Sequence, residues 1–408
     1  MLDKIKGIFN KQNIIYIVFS IYLLNIHIED TVLAYNYKIY AINKILRYIC
    51  YTYFAIKIFI DWKNGKSITW MMLISVIFSL IICLCSRKMY LLLLLLMLIA
   101  LKDYDLNKLI NISYYVNLFM LTTIILSSIM GILPDWTYLR DNQQLRYSLG
   151  YQYPTIPATY FFLIVTMRFY IKKQYIPIIE IFIYMILAFT LYKFTDSKTG
   201  FILTLLVIAS MFIVKFLNRF KKKMVENKYF KLTKIKIRYI CYAMPLMILI
   251  LIVLLIVLFN FKNTIAIKIN DLLSGRLYYA NEALKNYDIT LFGEDIDWHG
   301  WGGYGYIKIE DFSYNFVDIA FMKMLFDYGL ITLVSFIVLY TFSIVKYIKE
   351  KDYFLTYILI LLLIWSLIEP NILDIGMNTF IISFSFFLNI GEIKQVSYKR
   401  IKSIITKR

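Results

Sequence analysis

No glycine-rich phosphate loop, no HExxH and no GxSxG occurs in this chain of 408 residues. The phosphate cradle of a nucleotide hydrolase, the paired histidines of a zinc protease and the nucleophile elbow of an α/β hydrolase are therefore missing. Charge is scarce as well: Asp, Glu, Lys and Arg supply 17% of positions, hydrophobic residues 61%. A soluble core of this size needs far less apolar surface, so the excess is expected to face lipid. A net charge of +19 raises nucleic acid as a partner, but no basic domain with a reading motif accompanies it, and no nucleic acid is expected. Only four cysteines occur, Cys50, Cys83, Cys85 and Cys241, all in apolar runs. The step from Cys83 to Cys85 fits neither a CxxC redox pair nor a zinc pair, which leaves small hydrophobes packed in helices.

What is present is a succession of long apolar runs. A membrane crossing needs about 20 largely apolar residues. That ruler gives twelve candidate spans, near 14–33, 39–60, 68–86, 88–101, 110–133, 155–172, 175–193, 199–217, 239–261, 329–348, 353–369 and 372–390. The second is Tyr-rich and interrupted by Lys44 and Arg47, and the fourth is short. The opening "MLDKIKGIFNKQN" before an apolar run mimics a signal peptide, but no small-residue cleavage site follows and "HIEDTV" continues the chain, so the first span is expected to stay uncleaved.

Orientation follows from the basic residues, which collect on the cytoplasmic side. The segment 215–238, "KFLNRFKKKMVENKYFKLTKIKIR", holds ten basic residues and one acid, Glu226, and is expected to be a cytoplasmic loop. Alternation then places 168–173, 346–351, the basic tail and the N-terminal "KIKGIFNK" on the same side, with both termini cytoplasmic. The expectation is an all-α, multi-pass protein of about twelve transmembrane helices, a single membrane domain over 1–408. Two segments fall outside: a first outer loop, 134–154, and a large one between spans 9 and 10, 262–316. The second carries eight acids against five basic residues, and its "DWHGWGGYGY" cannot be a lipid-facing helix, so it must form an ordered cap.

Four basic residues stand on that outer side against the general trend: Arg140, Arg146, Lys198 and Arg276. Arg276 follows Ser274-Gly275, a turn pair able to start the helix "RLYYANEALKNY". A guanidinium holds two phosphate oxygens at once, and a helix N-terminus adds partial positive charge. Such a set could grip a lipid diphosphate; the alternative is that each cation pairs with an acid of its own loop or with lipid phosphate. Residues 314–328 are expected to form an interfacial helix broken at Gly329, with Asp318 and Met322 on one face. Asp318 could there act as general base toward a sugar hydroxyl, or simply pair with Lys323 or serve as a helix N-terminal charge. Of the two histidines, His299 sits between Trp298 and Gly300-Trp301 and is either an ordinary loop histidine or, with Tyr314 and other aromatics, part of a sugar-lining surface. Glu294, Asp295 and Asp297 lack calcium-loop spacing, so no metal is expected.

The order of "RYSLGYQYP", "DSKTGF", "SGRLYYANEALKNYDITLFGED" and "FVDIAFMKMLFDYGLI", with spans between, resembles the Wzy-type polysaccharide polymerases and related O-antigen ligases. The resemblance implies the architecture of C-type membrane glycosyltransferases, no cofactor, and a bacterial cytoplasmic-membrane location. It implies polymerisation of polyprenyl-diphosphate-linked oligosaccharide repeat units into capsular or O-antigen polysaccharide at the outer face. Donor and acceptor are then both lipid-linked glycans, with a chain-length regulator and a flippase as partner proteins. Carried over, Arg276 and Arg146 hold the diphosphate, and Lys198 stands where the family more often has arginine, keeping the charge but not the fork. The ligases usually have a histidine, often followed by asparagine, where this chain has Asp318 and Ile319, which favours a polymerase. "TLFGEDIDW" departs from the family's proline-first turn.

Two other readings stay open. A ligase would attach finished polymer to another acceptor. A flippase for lipid-linked oligosaccharides also suits twelve spans, but a transporter usually shows two matching halves, whereas here the unusual sequence is concentrated in one outer loop.

Overall fold

A computed structural model describes residues 11–139, 144–224, 228–300, 302 and 314–391, and 76% of the described residues are helical. The long helices are α1 Lys11–Glu29, α2 Tyr37–Lys63, α3 Trp70–Ser86, α4 Tyr90–Leu101 and α5 Leu106–Ile129. After a hairpin, β1 Thr137–Leu139 and β2 Leu145–Tyr147, come α6 Thr155–Lys172, α7 Ile178–Thr195, α8 Lys198–Met224 and α9 Lys228–Asn260. Two short helices, α10 Thr264–Leu272 and α11 Arg276–Asn286, precede α12 Ala320–Lys349 and α13 Tyr353–Trp365, and a 3-10 segment, Thr379–Asn389, ends the described chain.

Five helices among the described residues are long and apolar enough to cross a membrane: Leu106–Ile129, Ile178–Thr195, Lys198–Phe216, Ile237–Asn260 and Ala320–Lys349. Large apolar side chains on their outsides, such as Ile240, Leu246, Ile250 and Leu254 of α9, are exposed, as lipid-facing residues of an all-α membrane protein would be. A helical element lies in each of the twelve apolar runs, though not every one is long. Helix α4 has 12 residues, about 18 Å at 1.5 Å per residue, well short of a hydrocarbon core of about 30 Å.

Short polar side chains start the helices. Asn36, Thr69, Asp105, Asn263 and Asp352 each accept a main-chain N–H from the first turn of α2, α3, α5, α10 and α13, filling donors that have no partner inside the helix. Helix α6 is buried almost all round, from Pro157 to Tyr170, and packs against α5, α7, α8 and α13 at the centre of the bundle. Gly200 makes the α6–α8 crossing tight, because a Cβ there would lie 3.0 Å from the Ala158 Cβ. Helix α9 carries α10 and α11 at its far end and packs on α12 and α13.

Two expectations need correction. The basic stretch 215–238, between two candidate spans, is helical rather than irregular where described: α8 runs to Met224 and α9 begins at Lys228, with 225–227 outside the described residues. It contains no Gly or Pro and has eight Lys and two Arg, residues that continue a helix readily. Nor does a helix cover the whole of 314–328. Residues 314–319 have no regular secondary structure and α12 starts at Ala320, so Asp318 lies before the helix rather than on a face shared with Met322. Asn315 explains this: its N–H donates to the His299 carbonyl at 3.2 Å and its side-chain amide to the Asp297 carbonyl at 2.9 Å. Those bonds hold the segment to the preceding loop. The expected break at Gly329 is present, with φ 84 and ψ 171 inside α12.

Candidate active site

The turn Ser274-Gly275, with φ 56 and φ 86, swings the chain so that Arg276 becomes the first residue of α11. Its side chain is 7% exposed. Nε donates to the Ile368 carbonyl at 2.8 Å and Nη1 to the Leu273 carbonyl at 2.9 Å, which fixes the guanidinium plane. Asp318 Oδ2 lies 3.7 Å from Nε. The Tyr314 hydroxyl hydrogen-bonds the Asp318 carboxylate, and the Tyr314 ring sits 4.3 Å from that of Tyr279, one turn along α11. Burial holds the Asp318 carboxyl above the ordinary carboxylate range, against the opposing pull of Arg276, Lys323 and the Tyr314 hydroxyl. Burial and the Asp318 charge likewise push the Tyr314 phenol up. A carboxylate in such surroundings is a better proton acceptor than one in water.

The second arginine arrives from the hairpin. Arg146 on β2 pairs with Tyr138 on β1 and is 8% exposed. Its Nε donates to the Thr195 carbonyl at the end of α7, 2.9 Å away, and Nη1 reaches the Tyr153 hydroxyl at 3.4 Å. The guanidinium carbon also stands 5.4 Å from the Tyr153 ring centre, within cation–π range. Tyr153 and Tyr314 are electrostatic neighbours. The Arg146–Tyr153 pair thus lies within electrostatic range of the Arg276–Asp318–Tyr314 group, although more than a hundred residues separate them in sequence.

The remaining expected residues distribute differently. Lys198 is the first residue of α8 and exposed, three positions past the carbonyl that Arg146 holds. His299 lies on the loop rim: its Nε2 is 3.5 Å from Asp297 Oδ2 and nearly half of its side chain is exposed, while its N–H donates to Asn315 Oδ1. Those contacts tie it to its own loop. Arg140 lies outside the described residues.

Three features had not been read from the sequence. Glu369, in the turn after α13, accepts the Thr159 hydroxyl at 3.3 Å and is an electrostatic neighbour of both Arg276 and Asp318. Its signal was available as a carboxylate at the edge of an apolar run, "LIEP". A clamp holds the loop to the bundle: buried Asp327 takes Lys88, the Trp298 indole N–H at 2.7 Å and Lys323 at 3.7 Å. Finally, "LFGED" docks on the α12 break. Leu330 N–H donates to the Thr290 carbonyl and Glu294 N–H to that of Phe326, both at 2.9 Å. A Cβ on Gly293 would lie 2.3 Å from the Asp327 carbonyl oxygen, and one on Gly329 2.3 Å from that of Leu291.

The fold and site thus define a class: a mostly helical protein with five helices, among the described residues, long and apolar enough to cross a membrane, in which buried Arg276 pairs with the carboxylate of Asp318. Compared with protein-family models, curated proteins and solved structures, the chain matches none.

Proposed function

We propose that this protein is a membrane glycosyltransferase that polymerises polyprenyl-diphosphate-linked oligosaccharide repeat units at the outer face of a bacterial cytoplasmic membrane. In this reading the twelve apolar runs cross the bilayer, both termini are cytoplasmic, the fold is of the C-type glycosyltransferase kind, and the α9–α12 connection forms the extracytoplasmic cap. The observation that carries the reading is the ion pair of buried Arg276 with Asp318 beside the Tyr314 hydroxyl, together with a second buried arginine, Arg146, held by Thr195 and Tyr153. Fixed cations suit the charge that develops on a diphosphate leaving group, and a carboxylate held above its ordinary range suits removal of a hydroxyl proton.

The chemistry balances without a cofactor. A hydroxyl oxygen of the acceptor glycan bonds to the anomeric carbon of the donor. The bond from that carbon to phosphate breaks, its electron pair leaves with the polyprenyl diphosphate between Arg276 and Arg146, and the hydroxyl proton passes to Asp318.

The test is the size distribution of surface glycan in a strain lacking the gene. Single repeat units are expected, restored to a ladder by the intact gene but not by Arg276→Ala made at normal protein level. Full-length polymer stranded on its carrier would indicate a ligase instead, and repeat units trapped on the cytoplasmic leaflet a transporter. A normal ladder from Arg276→Ala would remove the site assignment.

A further inference from the structure

A groove of about 460 Å³ runs along the outside of the bundle between Met244, Met247, Leu251 and Leu254 of α9 and Ile364 and Leu367 at the end of α13, a volume in the range of small-molecule sites. Every residue that lines it is apolar, and Met247, Leu251 and Leu254 are exposed. From Met244 to Leu254 the helix rises about 15 Å at 1.5 Å per residue, half the depth of a hydrocarbon core of about 30 Å. Pro245 falls at the inner end of that stretch, where it has no N–H for the Cys241 carbonyl one turn back. At the outer end Leu367 is followed by Ile368, whose carbonyl takes the Arg276 Nε at 2.8 Å. The same end of α9 carries α10 and α11. The groove therefore stops one residue short of the main-chain anchor of the guanidinium that pairs with Asp318. An ordinary phospholipid brings two chains and one phosphate, whereas a single apolar lane headed by a fixed cation suits one long chain with a strongly anionic head. The methionines in its wall are unbranched and polarisable, so they adapt to a chain with methyl branches.

We infer that this groove holds the first isoprene units of the polyprenyl diphosphate whose head lies at Arg276. This placement rests on the proposed glycosyl transfer and adds to it the path of the leaving lipid: from Arg276 past Leu367 and down between α9 and α13. Burial of the chain supplies affinity, and the guanidinium sets the register, bringing the diphosphate and the anomeric carbon attached to it beside Asp318.

The experiment titrates the purified full-length protein, in nanodiscs of phosphatidylcholine and phosphatidylglycerol, with two ligands: a long-chain polyprenyl diphosphate and dimethylallyl diphosphate, which has a single isoprene unit. Met247→Trp and Leu251→Trp fill the groove from exposed positions, where a larger side chain disturbs no core packing. Each should weaken the long-chain ligand roughly 10-fold and leave the short one as in the wild type. Arg276→Ala should weaken the long-chain ligand as well, through its head. Ile240→Trp, exposed on α9 but outside the groove, should change neither. Wild-type affinity for the long-chain ligand in both filled variants overturns the inference, and so does an equal loss for the short ligand. A photoreactive phosphatidylglycerol that labels Met247 as strongly with saturating polyprenyl diphosphate as without it would mark an ordinary phospholipid site, and also overturns it. If Arg276→Ala and Asp318→Asn both lengthen chains at the wild-type rate in vesicles that carry lipid-linked units, the glycosyl-transfer reading itself falls. If those two fail while the filled variants bind the long-chain ligand normally, only the groove assignment falls.

Discussion

At the scale of single residues, the decisive property of Arg276 is its fork rather than its charge. Nε and Nη1 point to the Ile368 and Leu273 carbonyls, and a buried guanidinium so anchored keeps its remaining N–H groups in a fixed plane. Lysine has one compact ammonium on a flexible stem and cannot serve both carbonyls while also facing Asp318. Arg276→Lys should therefore lose about 100-fold in chain lengthening, although the net charge is unchanged. The ladder from Arg276→Lys in the deletion strain checks this; a wild-type ladder would mean that charge alone suffices. Lys198, by contrast, is exposed at its helix start, so Lys198→Arg is a milder change of the same kind.

At the scale of elements, two turns from distant parts of the chain fit together because both are glycine. Gly293 and Gly329 have φ 87 and φ 84, and a Cβ on either would run into main chain of the other turn at 2.3 Å. Main chain cannot rotate aside as a side-chain tip can. Gly293→Ala is thus expected to cost about 2–4 kcal/mol, combining a left-handed conformation with a steric clash. The damage should centre on the docking of the 290–294 turn against α12. Thermal unfolding in detergent should show a lowered midpoint, and limited proteolysis should cut the α11–α12 connection faster. Protease resistance equal to wild type would show that the turns separate freely.

Much of this level was legible in the sequence. The apolar runs gave the helices, "SGR" gave the start of α11, and Gly329 gave the break in α12. What escaped depended on contacts between distant segments. The non-helical stretch at 314–319 is set by Asn315 bonding to Asp297 and His299, which no local periodicity reveals. The hairpin that presents Arg146 depends on cross-strand pairing of Tyr138 with Arg146. Glu369 joins the site only because Ile368 is where Arg276 lands. The arginines were legible because charge beside an apolar run is conspicuous; their partners were tyrosines and main-chain carbonyls, which are not.

At the scale of the whole molecule, the proposed reaction requires the site to face the outer side of the membrane. The Arg276–Asp318 pair, the Arg146 hairpin and the Asp327 clamp all lie at the bundle end that carries the α5–α6 and α9–α12 connections. The turn between α12 and α13 lies at the other, and the excess of lysine and arginine beside it and in 215–238 argues that this other end is cytoplasmic. The orientation can be read directly. Gly302 has open space around its Cα and Glu350 is exposed at the end of α12, so each accepts a cysteine in a variant whose four native cysteines are replaced by alanine. Gly302→Cys is expected to react with a membrane-impermeant maleimide in intact cells, and Glu350→Cys only after permeabilisation. The reverse pattern would put Arg276 and Asp318 on the cytoplasmic side, facing the leaflet on which lipid-linked units are assembled rather than the one on which they would be joined. Polymerisation at the outer leaflet would then be untenable, whatever the arginine variants did.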